Sequence, residues 1–296
     1  MTTQVKAPAK SGAPQGATAV VRTVADLRAH VAAWHGQGLR VGLVPTMGAL
    51  HHGHLSLIDR LADHVDRVIV SIFVNPAQFG PNEDFSAYPR REAQDLAALE
   101  TVGADLAYLP DVKVMYPQGF RTNIHVKGLS EGLEGDVRPG HFDGVATVVM
   151  KLLMQSQCDC AIFGEKDFQQ FAVLRRLVID LDLPVEIVAG PIIREPDGLA
   201  ASSRNVYLNA EQRSIAGQFN LVLADLRRRA MAGEDLRILE QEGEKALLAK
   251  GFDRVDYVRF CNAESLEMAE DLTAPVQLLA VAVLGKTRLL DNVQIG

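Results

Sequence analysis

From residue 24 to about residue 190, the chain alternates between two hydrophobic rhythms. One has the three-and-four spacing of a helix laid on a core; the other is the short, continuous apolar run of a strand covered on both faces. Helical spacing predicts helices over Val24–Gly36, Leu55–His64, Arg90–Val102 and Phe168–Leu181. A further helix is drawn by the stripe Val145, Val148, Val149, Leu152 and Leu153. Apolar runs predict strands at Val41–Val44, Arg67–Val74, Leu106–Leu109, Cys160–Gly164 and Val185–Val188, with Thr122–Lys127 extended. Alternation of this kind predicts an α/β fold, a doubly wound Rossmann-like parallel sheet. Ligands of such sheets bind outside the carboxyl ends of the strands.

After Ile193 the pattern changes. Long helical spacing over Gln212–Ala232 and Asp235–Lys250 is followed by a strand at Val255–Phe260 and a hairpin over Gln277–Val293. The expected division is therefore a tail over residues 1–18, a Rossmann-like domain over 19–191, and a smaller α+β domain over 192–296. The tail is rich in Ala, Pro, Gly and Lys and has no apolar core, so it reads as disordered rather than as a signal peptide.

Composition narrows the classes. The 296 residues are 48% hydrophobic and 23% charged with net charge -7, ordinary for a globular protein and against a nucleic-acid partner. Apolar runs such as Leu278–Leu284 fall short of the roughly 20 residues a membrane helix needs. Cys158, Cys160 and Cys261 offer no disulfide framework, and a cytoplasmic location is expected.

Chemistry gathers where predicted strands end. Val41–Val44 runs into Pro45-Thr-Met-Gly-Ala-Leu-His51-His-Gly-His54 and then a helical pattern. This strand, tight turn and helix start is the geometry that places an anion at a helix N-terminus, with His51 and His54 ready to donate to phosphate oxygens. Competing motifs fail on detail. Gly285-Lys286-Thr287 lacks the earlier glycine of a P-loop and lies between two strands, and Gly36-Gln-Gly38 precedes its strand without a third glycine. His51, His52 and His54 have no Cys or carboxylate flanking them at zinc-ligand spacing. Further polar segments follow in order: Phe73-Val-Asn75-Pro-Ala-Gln78-Phe79, a candidate lid over 82–88, Arg138-Pro-Gly-His141-Phe, Phe163-Gly-Glu-Lys166-Asp167-Phe-Gln-Gln170, and Ser202-Ser203-Arg204-Asn205.

Taken together, these blocks resemble the pantothenate synthetase (pantoate–β-alanine ligase) family from about residue 20 to 293. Within it, His51-x-Gly53-His54 is similar to the His-x-Gly-His motif of the nucleotidyltransferase superfamily. The resemblance implies that ATP and (R)-pantoate give a pantoyl adenylate and pyrophosphate, after which β-alanine displaces AMP to form pantothenate. It implies catalytic roles for His51, His54, Lys166, Ser202, Ser203 and Arg204. An ATP site would be lined by Met47, Gly48, Ala49, Leu50, His51, His52, Gly53 and His54. Gly164, Glu165, Lys166 and Asp167 would hold ribose and phosphates, the backbone near Ile193 would meet adenine, and Ala201 would precede the serine clamp. Ala201 stands where relatives often carry Met or Leu. Gln78 and Gln170 would orient pantoate, with Gln78 also near β-alanine. Mg²⁺ is expected with the pyrophosphate, with Asp95 as its helper. A homodimer is implied by resemblance alone. Two other classes share part of this pattern: another His-x-Gly-His nucleotidyltransferase, without the Gln78 and Gln170 pocket, and a catalytically silent nucleotide-binding regulator.

Overall fold

A computed structural model describes residues 18–81 and 83–296. The predicted tail thus lies outside the described residues except for Thr18, which is buried and donates its hydroxyl to the Ala104 carbonyl. The chain forms two compact units. The first holds the chain up to His125 together with Asp143–Phe163 and Leu177–Gly190; the second holds Val126–Phe142, Gly164–Arg176 and Pro191–Gly296.

The first unit is built on six strands: β1 (Ala19–Val21), β2 (Val41–Thr46), β3 (Arg67–Ile72), β4 (Leu106–Tyr108), β5 (Cys160–Gly164) and β6 (Glu186–Gly190). Their order is β1-β4-β3-β2-β5-β6, and the pairs β1–β4, β4–β3, β3–β2 and β2–β5 are parallel. The order turns back between β2 and β5, the switch point where open α/β sheets leave a crevice. Val44, Val68, Val70 and Ile162 bury one sheet face against Ile58, Leu61 and Leu99 from helices His52–Leu61 and Glu92–Thr101. Gly42 makes this closeness possible, since a Cβ there would lie 2.7 Å from Leu61 and 2.8 Å from Val65. Pro45, unusual inside a sheet, falls where pairing with β5 has ended after Leu43.

In the second unit, β7 (Arg254–Asn262), β8 (Val276–Leu284) and β9 (Thr287–Ile295) form an antiparallel sheet in that order. Every residue of β8 is buried. Phe219, Leu226, Leu239 and Leu247 from two helices close the core over Val258, Phe260 and Leu278. Gly285, with φ 59°, supplies the left-handed turn of the β8–β9 hairpin. The single helix expected over Gln212–Ala232 is two, Ala210–Ala216 and Gln218–Met231, meeting at Gly217.

The two units do not part at a single point of the chain, because the second also takes two earlier segments. Buried polar contacts hold them there. The Glu134 carboxylate receives both ends of the Arg288 guanidinium at 2.6 and 2.9 Å, and the Tyr257 hydroxyl at 3.4 Å. Gln169 accepts from the Glu134 amide and donates to the Leu129 and Gly132 carbonyls. Among the described residues no helix is long and apolar enough to cross a membrane.

Candidate active site

At the end of β2 the chain turns through two successive left-handed residues, Gly48 (φ 79°) and Ala49 (φ 51°). Gly48 has no room for a side chain: a Cβ would stand 2.9 Å from an Asp95 oxygen and 3.0 Å from Ile72. Thr46 steadies the entry, donating to the Ser71 carbonyl and accepting from the Gly48 amide. The buried Asp95 carboxylate fixes the exit, accepting from the Ala49 amide at 3.0 Å and the Leu50 amide at 2.7 Å. Both oxygens are committed to the backbone, and among the described residues no group of three or more His, Cys, Asp or Glu side chains could hold a metal ion.

The helix His52–Leu61 begins immediately after this turn and caps itself with the two histidines. His51 Nδ1 accepts from the Gly53 amide at 3.1 Å, and His54 Nδ1 accepts from the His51 amide at 3.4 Å. A backbone N–H can only donate, so each neutral ring carries its proton on Nε2. The rings lie 4.1 Å apart. The result is two Nε2–H donors beside a helix N-terminus, an arrangement suited to negative charge. His52 is exposed on the first turn, beside Gly53.

Gln78 is set by its neighbours in the first unit. Its amide oxygen accepts from Asn75, and its amide nitrogen lies 3.1 Å from the Met47 sulfur. Asn75 is buried, reaches the Gly144 carbonyl, and receives the Tyr116 hydroxyl at 2.7 Å. Burial pushes the Tyr116 hydroxyl up to about 12, against the opposing Asn75 hydrogen bond, so it stays a donor. In the 82–88 segment, Asn82 lies outside the described residues; Phe85 and Tyr88 pack edge-on against Phe79. Those apolar anchors were hidden in a stretch without periodicity.

The second unit carries the cations. Gly164 leads into a single turn, Glu165–Asp167, that presents Lys166 with its Nζ 3.5 Å from the Asp167 carboxylate. Desolvation opposes ionisation of Asp167, but the Lys166 and Arg204 charges outweigh it and hold the carboxyl below its ordinary range. Lys166, Asp167 and Arg204 are thus one electrostatic group. The Ser202 hydroxyl caps the turn Ser203–Tyr207 by accepting from the Arg204 amide. Ile193 and Ala201 are joined, the Ala201 amide donating to the Ile193 carbonyl at 2.9 Å, and Ala201 is buried. Gln170 borders a small cavity with Arg138, His141, Lys166 and Asp167. Its neighbour Gln169 is the buried structural amide, a distinction the Gln-Gln pair does not reveal in sequence.

A family model described as pantoate–β-alanine ligase matches residues 19–294. The chain belongs to the pantoate–β-alanine ligase family. Membership makes it an enzyme of the ligase class, and its similarity to other members covers nearly the whole chain. It is 55% identical over 274 residues to the pantothenate synthetase of Paramagnetospirillum magneticum, covering 93% of this chain and 96% of that one. With the Rhodospirillum rubrum pantothenate synthetase it shares 54% over 275 residues, covering 93% and 98%. Among solved structures, pantothenate synthetase from Thermus thermophilus aligns with a TM-score of 0.88 at 44% identity, over 94% of this chain and 99% of that one. Pantoate–β-alanine ligase from Francisella tularensis, complexed with beta-gamma ATP and β-alanine, aligns with a TM-score of 0.80 at 33% identity, over 94% and 98%.

Proposed function

We infer that this ligase condenses (R)-pantoate with β-alanine at the expense of ATP, and that it does so through a pantoyl adenylate. The condensation is carried by the family match across 19–294, which contains all the polar blocks in order. The intermediate is supported by the kind of groups present: imidazole N–H donors, a helix N-terminus, a lysine and an arginine. Such groups serve a transfer in which positioning and electrostatics do most of the work. A pantoate carboxylate oxygen bonds to the α-phosphorus as the bond to pyrophosphate breaks. The β-alanine amine then attacks the acyl carbon, the acyl–phosphate bond breaks, and AMP leaves as the amine sheds a proton.

His51 and His54 donate to the α-phosphoryl oxygens in this reading. Lys166, Arg204, Ser202 and Ser203 hold the departing pyrophosphate, while Gln78 and Gln170 orient pantoate. The turn Met47–Gly53, together with Gly164, Glu165, Asp167, Ile193 and Ala201, contributes the remaining nucleotide contacts. Mg²⁺ comes with the ATP phosphates as part of the substrate. Asp95, with both oxygens on backbone amides, holds the turn. A cytoplasmic location fits three buried, free cysteines; a homodimer remains the family expectation. Labelled pyrophosphate should enter ATP when pantoate is present and β-alanine absent, with little exchange when pantoate is left out. ADP release, or exchange that needs β-alanine, would overturn the adenylate route.

A further inference from the structure

Strand β9 buries two adjacent polar residues, Asp291 and Asn292, each only 2% exposed. Burying a carboxylate and an amide in a small sheet is costly unless both are fully used. They are fully used, and each serves a different loop. The Asn292 side-chain amide donates to two consecutive carbonyls, Glu165 at 2.9 Å and Lys166 at 2.8 Å. Its own oxygen accepts from the Gln277 amide at 2.6 Å across the hairpin. Asp291 grips Arg194 with both oxygens, at 2.7 and 2.9 Å, and also accepts from the Asn292 amide. Arg194 in turn donates to the Gly198 carbonyl, closing the loop whose two sides, Ile193 and Ala201, lead into Ser202–Arg204.

We propose that Asp291 and Asn292 are positioning residues for the nucleotide step: one dipeptide on one strand sets both the turn that presents Lys166 and the loop that presents Ser202, Ser203 and Arg204. The proposal rests on the phosphate roles given above to Lys166 and Arg204. The three-residue turn that carries Lys166 lies between strand Cys160–Gly164 and helix Phe168–Asp180 and belongs to neither. The double carbonyl contact from Asn292 sets its aim, because it fixes the orientation of both peptide groups flanking the Lys166 Cα. The bidentate Asp291–Arg194 pair has the same effect on the second loop, since a planar guanidinium held at two points cannot rotate. Asp291 and Asn292 touch neither substrate nor reacting atoms in this scheme; they act through the cations.

Acting through another residue has a measurable signature in double variants. Adenylate formation is followed as pantoate-dependent pyrophosphate exchange, each variant being assayed well below its own melting temperature. Asn292→Ser should slow exchange by about tenfold to a hundredfold, the usual cost of a mispositioned group. In a Lys166→Ala background the same change should cost less than about twofold, because the group it aims is gone. Asp291→Asn should behave in the same way toward Arg204→Ala. Should Asn292→Ser fold poorly, Gln277→Ala loosens Asn292 from behind, and its smaller loss should also vanish without Lys166. Losses that multiply in the double variants would overturn the proposal and leave the pair as ordinary core polar residues. Wild-type exchange by Lys166→Ala and Arg204→Ala alone would instead overturn the phosphate roles beneath it, and those single variants reveal that separately.

Discussion

In the proposed function the histidine turn and the lysine turn both present donors for phosphate, yet they are held in different ways. His51 and His54 each hold a nearby backbone amide, through bonds reaching two and three residues along the chain. Lys166 sits on a turn whose carbonyls are held by a residue 126 positions later. A self-capped motif carries its geometry with it, whereas the lysine turn depends on a sheet made from the far end of the chain. The difference teaches that equal chemistry does not imply equal structural autonomy. Asp95 adds a long-range hold within the first unit, reaching 46 and 45 residues back to Ala49 and Leu50.

The largest expected effect separates the histidine's cap from its chemistry. Asn is a good N-cap residue, so His51→Asn should keep the helix start and change folding stability by less than about 0.5 kcal/mol. It removes the outward Nε2–H, and exchange should fall by about 10²–10³, the loss typical of one preorganised donor. A stable variant with near-normal exchange would show that His51 only caps. Replacement by Ala is less clean than sequence alone suggests, because it removes the cap as well.

A middle-sized effect is expected at the long-range anchor. Asp95→Asn turns one acceptor into an amide that faces a backbone N–H, so urea unfolding should show a loss of about 1.5–3 kcal/mol, the range for hydrogen bonds to a charged group. No loss of stability would mean that the loop, like the histidine cap, holds itself. The smallest effect concerns Ala49, which adopts a left-handed backbone without being glycine. Ala49→Gly should relieve that strain and, after the added freedom of the unfolded chain, stabilise by about 0.5 kcal/mol. Destabilisation in the same titration would mean that the alanine methyl contributes packing greater than the strain.

This contrast also explains what could be read from the sequence. The strand–turn–helix from Val41 to Leu61 was legible because its signals are local: an apolar run, two glycines and a helical stripe. Asp95 entered only as a metal helper by resemblance, and nothing in its neighbours signals that it is buried against a loop. The second unit's borrowed segments, 126–142 and 164–176, were invisible because pattern reading assigns residues by continuity, while Glu134, Gln169 and Arg288 join them through space. β1 was missed because three residues are too few to establish a period. Asp291 and Asn292 did leave a signal, two adjacent polar residues between Leu290 and Val293, but a hairpin edge explains such residues equally well until their partners are seen.

The distance between Lys166 and Asn292 has a consequence for the chain as it emerges from the ribosome. At about 5–20 residues per second, the 126 residues separating them take roughly 6 to 25 seconds to synthesise. The histidine turn can form as soon as its own strand and helix have appeared. The lysine turn must wait, its carbonyls bonded to water, until Asn292 itself has been synthesised. A nascent chain stopped short of β9 would therefore carry a finished first set of donors and an unaimed lysine.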